Sequence, residues 1–249
     1  METGANSPSR KIKALLSSNA FTGEYTSHPV QVNVIPLNMV APENPSPADS
    51  PWKPSGDRAR DRAMKRDAVI RAAARLFRER GYHRTSLDDL ALALNVTKPT
   101  LYRYVENKEE ILFECFRLGV ERILAALHSP PPEATTARER LRALVLGYVG
   151  AITSEFGWCM VRAEDQDLGP EMSQAIKAAK TEIDQGIRRL VRDGIDEGTF
   201  RAHDPKMVAF ALAGALNWIT HWHREDAALT PDEIAERFFA LFAGGLSAT

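Results

Sequence analysis

The chain has 249 residues, of which 44% are hydrophobic, and this is enough for one or two compact domains. Its two cysteines, Cys115 and Cys159, form neither a disulfide framework nor a zinc spacing, so we expect buried free thiols. No apolar run approaches the roughly 20 residues needed to cross a bilayer. We therefore expect a cytoplasmic protein without a membrane partner. The net charge of −1 conceals an asymmetry, because residues 58–108 carry 13 Lys/Arg against 6 Asp/Glu, a net of +7, whereas residues 109–249 carry 15 against 22, a net of −7. This predicts a small head that binds a polyanion and a larger body that avoids one.

Residues 1–57 predict a disordered N-terminal extension. Five prolines crowd positions 42–54 among Ser, Asn and Asp, and the segment has little apolar periodicity. From residue 58 onward the pattern is helical and no alternating strand pattern is found. The sequence therefore predicts an all-α fold.

The first predicted helix covers about residues 60–80. Val69, Ala73 and Phe77 fall near one face, and arginines lie toward the other. Gly81 follows at the position where a left-handed helix end favours glycine.

Two shorter helices follow with start and stop signals close together. Ser86 is placed to cap the second helix, and Asn95 tolerates the positive φ of the turn after it. Thr97 is placed to cap a third helix over about residues 98–105, and Asn107 caps a fourth, with Glu110 as its capping-box partner. Together these signals predict a helix-turn-helix.

A helix-turn-helix places its second helix in the major groove of DNA, so the partner expected for this head is a double-stranded DNA operator. The hydroxyl, amine and guanidinium groups at its ends suit bases and phosphates. We therefore expect DNA contacts from Thr85, Ser86, Thr97, Lys98, Thr100, Tyr102, Arg103, Tyr104 and Lys108. The alternative is that the tyrosines pack against the core and the lysines only solubilise the surface.

The rest of the chain predicts five longer helices. They cover about residues 107–128, 134–157, 170–196, 205–224 and 231–245. Asp204-Pro205 and Thr230-Pro231 are strong N-terminus signals, since a cap residue precedes a proline at the first helical position.

The head resembles the DNA-binding domain of the TetR family of bacterial transcriptional regulators. The matching pieces are I-x-x-A-A-x-L-F at 70–77, G-Y-x-x-T-S at 81–86, L-x-x-L-A at 87–91 and V-T-K-P-T-L-Y-R-Y-V-x-N-K-E-E at 96–110. The resemblance implies DNA contacts at Thr85, Lys98, Thr100, Tyr102, Tyr104 and Lys108. It also implies a DNA-binding domain over 58–110 and a ligand-binding and dimerisation domain over 111–249.

The resemblance further implies a homodimer that pairs the last two helices of each subunit and represses transcription from a palindromic operator until a small-molecule effector binds. The residues support the dimer independently. Residues 208–222 are apolar on nearly every face, which predicts a helix buried on all sides. Ile234, Phe238 and Leu241 contribute to a second apolar stripe that suits a subunit interface.

An effector cavity is expected in the body. The candidate lining groups are Phe113, Phe116, Trp158, Trp218 and Trp222, with Arg117 and Arg162 as partners for an anionic group, and each of the aromatic groups has ordinary core packing as its alternative. The pattern Asn217-Trp218 followed by Trp222 resembles TetR-type regulators that respond to acyl-CoA thioesters, which implies that effector class.

Other functions are less well supported. A metal site is not expected, because His221 and His223 do not share a helix face, and no cofactor is expected. An enzyme is disfavoured by the lack of a phosphate-binding glycine loop, an HExxH motif or a nucleophile elbow. A constitutive DNA-binding protein without effector remains an alternative, and it predicts a solid body.

Overall fold

The computed structural model describes residues 58–162, 167–224 and 226–246. The predicted extension over 1–57 lies outside the described residues. Within the described part the chain folds into α-helices around one continuous apolar core. The helices are α1 (Arg58–Arg80), α2 (Leu87–Ala93), α3 (Lys98–Leu101), α4 (Lys108–His128), α5 (Ala137–Ile152), α6 (Gly157–Arg162), α7 (Pro170–Asp196), α8 (Pro205–Trp222) and α9 (Pro231–Leu246).

The head consists of α1, α2 and α3, closed by the first turns of α4. Phe77 of α1, Leu90 of α2 and Leu101 of α3 are almost fully buried, and they form the centre of its core. The ring of Tyr82 meets Phe77 edge-on at 5.2 Å between centroids. Burial of these large side chains holds the short α2 and α3, which would not be stable alone, against the longer α1.

The helix ends in the head follow the predicted chemistry with two exceptions, of which the first is Thr97, which precedes α3 without making a side-chain cap. The Ser86 hydroxyl accepts from the Asp89 amide and the Asp89 carboxylate accepts from the Ser86 amide, a complete capping box. Gly81 and Asn95 have φ of 85° and 53°. Asn107 caps α4, but the Glu110 carboxylate accepts from the amide of Glu106 at 2.6 Å, one residue earlier than a capping box requires.

The body is a bundle of α4, α5, α7, α8 and α9, with the short α6 wedged inside it. α5 packs against α4 on one side and α9 on the other, while α7 packs against α8. α4 belongs to both parts, since its first turns contact α1 and its remainder contacts α5, α6 and α7. Head and body therefore share a helix.

Two predicted helices end earlier in the structure. The third helix stops at Leu101, and turns complete residues 102–104. The helix predicted over 134–157 ends at Ile152 as α5, and after a turn at 153–156 the chain forms α6, a helix that the sequence did not predict. A Cβ at Gly157 would lie 1.8 Å from the Ile152 carbonyl oxygen, so only glycine allows this close approach. The periodicity of the sequence continues across this turn and conceals it.

Candidate nucleic-acid interface and effector cleft

The start of α3 presents polar groups to solvent. The Lys98 ammonium bonds to the Asp88 carboxylate of α2 at 2.9 Å, and this bond raises the pKa of Lys98. The hydroxyls of Thr97 and Thr100 lie 2.9 Å apart, and Thr97 makes no side-chain cap. Tyr102 is 51% exposed, although Leu101 beside it is fully buried. Lys98, Thr97, Thr100 and Tyr102 thus lie on a surface that a DNA groove can approach.

Two of the predicted DNA contacts are engaged within the protein. Thr85 is only 3% exposed, and its hydroxyl donates to the Gly81 carbonyl at 2.9 Å. The Lys108 ammonium donates to the carbonyls of Tyr82 and Thr85 at 3.0 and 3.1 Å and lies 4.1 Å from the Tyr82 ring centroid. The Lys108 side chain therefore ties α4 to the loop before α2, and the Thr85 hydroxyl bonds within that loop.

The other predicted contacts around α3 remain accessible. Ser86 is exposed, although its hydroxyl already caps α2, and Arg103 is exposed on the turn after α3. Tyr104 is half-buried and packs against the core. The accessible predicted contacts therefore centre on α3 and the turn that follows.

An ion-pair cluster fixes α1 against α4. The Arg66 guanidinium bonds to Glu110 at 2.8 Å and to Glu114 at 3.4 Å, and both carboxylates are buried. Arg117 bonds to Glu114 at 2.9 Å and also to Glu121. Removal of one partner from such a buried cluster leaves an uncompensated charge, so the cluster holds the head in one orientation on α4.

The body contains a cleft of about 280 Å³ between α4, α5, α6, α7 and α8. Most of its wall is apolar. It is lined by Phe116, Val120, Ile123, Tyr148, Met160, Val161, Lys180, Ile183, Asp184, Ile187, Ala209, Ala213 and Asn217. Apolar walls with a few polar groups are typical of small-molecule sites.

The polar groups of the cleft have distinct roles. The Tyr148 hydroxyl donates to the Asn217 side-chain oxygen at 3.1 Å, and burial raises the pKa of Tyr148 to about 12. At the rim, the Asp184 carboxylate bonds to Arg188 at 2.7 Å, so its charge is compensated. The exposed Lys180 lies with its ammonium 5.6 Å from the Phe116 ring centroid. The cleft thus combines a neutral polar pair inside with a cation at its edge.

Of the seven residues predicted to contact an effector, the structure places only Phe116 in this cleft. Trp218 is 61% exposed and stacks on His221 at 4.1 Å, and Trp222 is 44% exposed. The remaining four lie outside the lining as well: Phe113 and Trp158 pack partly buried against the core, Arg117 is ion-paired, and Arg162 is exposed at the end of α6. The sequence does not show which face of α8 points inward, because both faces are apolar, and Trp218 and Trp222 lie on the exposed one.

Sequence reasoning also missed Tyr148 and Lys180 and treated Asn217 only as part of a pattern. An asparagine inside an apolar helix is the signal that identifies Asn217, because a buried amide needs a partner. Tyr148 carries no comparable signal, since a tyrosine in an amphipathic helix is ordinary core.

The short α6 joins the cleft to the head. Met160 and Val161 line the cleft, and α6 contacts α1 and α4. A Cβ at Gly119 of α4 would lie 2.1 Å from the Met160 sulfur, so α4 and α6 are in close contact. Cys115 and Cys159 are buried in this junction, where the Cys115 thiol donates to the Ile70 carbonyl of α1 at 3.7 Å.

The last two helices leave an apolar face uncovered. α8 exposes Met207, Phe210, Trp218 and Trp222, and α9 exposes Leu241, which is 71% accessible. The prediction that α8 is buried on every side is therefore wrong for the single chain. Its buried residues, such as Leu212 and Leu216, lie on one face only.

Neither metal ligation nor membrane insertion finds support in the described residues. No group of three or more His, Cys, Asp or Glu side chains is arranged to hold a metal ion in this part of the chain. No helix in the described ranges is long and apolar enough to cross a membrane.

The fold and site define a class of protein: a helix-turn-helix DNA-binding regulator whose head is attached to a helical body. Family models agree with this class. Residues 69–115 match "Bacterial regulatory proteins, tetR family", and residues 134–246 match "Tetracyclin repressor-like, C-terminal domain". The chain belongs to the TetR family of transcriptional regulators, and this is a family of regulators and not of enzymes.

Individual relatives are similar over nearly their whole length. The transcriptional activator FasR of Mycolicibacterium smegmatis is 25% identical over 78% of this chain and 90% of its own. The structure of PfmR from Thermus thermophilus is 30% identical, covers 72% of this chain and 99% of its own, and has a TM-score of 0.64. The structure of AibR in complex with isovaleryl coenzyme A and operator DNA is 28% identical, covers 71% and 97%, and has a TM-score of 0.61.

Proposed function

We propose that this protein is a cytoplasmic, ligand-responsive transcriptional repressor that binds a palindromic operator as a homodimer and is released by a small-molecule effector. Its DNA-binding head spans residues 58–110 and its effector and dimerisation domain residues 111–249. The observation that carries the proposal is the position of α6. This helix lines the cleft with Met160 and Val161 and also contacts α1 of the head.

A ligand that occupies the cleft against α6 has a direct route to the DNA-binding surface. Residues Glu155 and Phe156, just before α6, contact Arg71 of α1. Movement of α6 therefore changes the tilt of the head, and in a dimer it changes the spacing of the two α3 helices. A ligand that favours one of two spacings shifts the equilibrium by its difference in affinity for them.

The chemistry of the cleft favours an acyl-CoA thioester as effector. At about 280 Å³ the cleft lies at the small end of ligand sites, so it suits an acyl chain of modest size. The Asn217 amide has N–H donors for a thioester carbonyl, and Lys180 at the rim suits a phosphate. AibR, whose structure holds isovaleryl coenzyme A, supports the same class.

The homodimer rests on the uncovered face of α8 and α9. Phe210, Trp218, Trp222 and Leu241 together expose a large apolar surface, and such patches mark interaction sites on soluble proteins. Self-pairing of this face places two heads on one side of the assembly and predicts an operator with two half-sites about one helical turn apart.

A mobility-shift titration tests the proposal. The probe is the DNA upstream of the protein's own gene, with and without acyl-CoAs of graded chain length, and the free CoA thiol is the ligand control. We expect a specific shift that one short or medium thioester releases. The variant Ala213→Phe, which fills the cleft, keeps the shift and loses the release. A specific shift that no thioester affects contradicts the effector class, and a shift that shows no sequence preference contradicts the repressor.

A further inference from the structure

A second cleft lies in the head, next to the recognition segment. It has a volume of about 660 Å³ and is formed by the first turns of α1 and the turn after α3. Its lining residues are Asp61, Arg62, Lys65, Tyr102, Arg103 and Tyr104. Neither Arg62 nor Lys65 belongs to the contacts predicted for the helix-turn-helix.

The charge of this cleft favours an anion. Three cations line it, Arg62, Lys65 and Arg103, and both arginines are exposed. The one carboxylate among the lining residues, Asp61, is only 8% exposed. The Arg62 guanidinium donates to the Arg103 carbonyl at 3.4 Å, which brings the two positive side chains to the same edge.

The position of the cleft points to a DNA phosphate. Residues 98–104 form one short helix and its turn, about 10 Å long at 1.5 Å per residue, which is close to the roughly 12 Å width of the major groove. When the start of α3 is at the bases, its other end and the cleft lie at one wall of the groove. The wall of the groove is a row of phosphates.

We infer that this cleft binds backbone phosphates of the operator through Arg62 and Lys65, so that α1 extends the DNA footprint beyond the helix-turn-helix. The inference rests on the proposed function. Arg62 also braces the end of α3 through the Arg103 carbonyl, and a purely structural role has to be distinguished from a phosphate contact. Lys65 makes that distinction possible, because its side chain lines the cleft without a hydrogen bond or ion pair to another described residue.

The experiment measures binding of the full chain to two duplexes, the upstream DNA and a random-sequence duplex, across about 50–200 mM salt. The number of phosphate contacts sets the slope of log affinity against log salt concentration. A purely structural role of a residue predicts no fixed change in this slope. We expect Arg62→Ala and Lys65→Gln each to lower the slope by about 1, and the double variant by about 2, on both duplexes. The control is Arg75→Ala, an exposed α1 arginine outside the cleft, which leaves the slope unchanged.

A folded double variant with the wild-type slope overturns the inference. If Arg62→Ala disturbs the head, as seen by circular dichroism, Lys65→Gln alone tests the inference. A lower slope for Lys65→Gln supports it, and the wild-type slope overturns it. Failure of the inference is distinguishable from failure of the proposed function. In the first case the wild-type protein still binds the upstream DNA specifically, whereas in the second it binds neither duplex, or both equally.

Discussion

Arg71 of α1 bonds to the carboxylate of Glu155, which lies in the turn just before α6. The same guanidinium lies 5.4 Å from the ring centroid of Phe156 and also donates to the Asp67 carboxylate at 2.7 Å. One side chain of the head therefore holds the segment that leads into the effector cleft. This contact links the head to the cleft independently of the shared helix α4.

We expect Arg71→Ala to raise the effector concentration needed for release from DNA, with little change in the free energy of unfolding. The ion pair is partly exposed, and exposed pairs contribute about 0–1 kcal/mol to stability. Urea unfolding measures the stability, and a mobility-shift titration measures the effector concentration that releases half of the DNA. Arg75→Ala on the same helix is the matched control. An unchanged release curve for Arg71→Ala means that this contact does not carry the coupling.

Tyr102→Ala and Lys98→Ala are expected to weaken operator binding without unfolding the dimer. Both side chains lie on the exposed side of the recognition segment, and loss of one base or phosphate contact costs about 1–3 kcal/mol. Fluorescence anisotropy with operator DNA gives the affinity, and size-exclusion chromatography confirms the assembly. Arg192→Ala, an exposed arginine on α7, is the control. Wild-type affinity in both variants contradicts the placement of α3 in the groove.

The pair Tyr148 and Asn217 is expected to set effector affinity. Asn217→Leu keeps the bulk of the side chain but removes the amide, so a ligand carbonyl loses its donor and the Tyr148 hydroxyl loses its acceptor. We expect effector affinity to fall by about 10-fold or more at about 1.4 kcal/mol per factor of ten, with operator affinity unchanged. Isothermal titration calorimetry measures the effector affinity, and fluorescence anisotropy measures the operator affinity. In Tyr148→Phe the amide is retained, so a loss as large as that of Asn217→Leu contradicts the role of the amide.

Leu241→Arg is expected to convert the proposed dimer to a monomer. The side chain is exposed in the single chain, so the charge costs little there, whereas an apolar interface has to bury it. Analytical ultracentrifugation measures the mass, and anisotropy shows the accompanying loss of operator affinity. Arg192→Ala is again the control. A dimer of wild-type strength shows that α9 does not form the interface.

Acid is expected to destabilise the protein through its helix caps. Hydrogen bonds from the hydroxyl and amide of Ser86 lower the pKa of Asp89, and backbone amides lower the pKa values of Glu139, Glu197 and Glu233. A carboxylate with a lowered folded-state pKa stabilises the fold above its ordinary pKa and loses this contribution as the pH falls through the folded value. Urea midpoints measured from about pH 6 to pH 3 should therefore fall.

One variant isolates this effect. Glu197→Gln removes a carboxylate that accepts from the Ala137 amide at 2.8 Å, so the pH dependence becomes shallower and the stability at neutral pH falls. Asp226→Asn, in the loop after α8, is the control. A midpoint that rises on acidification contradicts the sign of the effect.

The helix-turn-helix could be predicted closely because its signals are local. The Ser86 capping box and the positive φ of Gly81 and Asn95 depend on neighbouring residues, and all three are as predicted. The family assignment followed from the same segment. The turn between α5 and α6 was missed because its cause is the contact of Gly157 with the Ile152 carbonyl, which no periodicity reveals.

The residues that line the candidate effector cleft were harder to predict, because apolar residues pack in the core and also line cavities. Which face of α8 turns inward depends on α7 and α5, so Ala213 and Asn217 face the cleft while Trp218 is exposed. The same dependence on packing applies to two of the predicted DNA contacts. The buried hydroxyl of Thr85 and the inward ammonium of Lys108 follow from tertiary packing that the motif alone does not specify.

The buried cysteines at the junction of α1, α4 and α6 provide a probe for the opening of this junction. Burial, together with the neighbouring Cys159 thiol, raises the pKa of Cys115, so the group stays protonated and unreactive while the junction is closed. A thiol reagent can label it only when the junction of α1, α4 and α6 opens, and the rate of labelling then measures how often this happens. An effector that moves α6 changes that rate in free protein, so the conformational step can be timed without any DNA present.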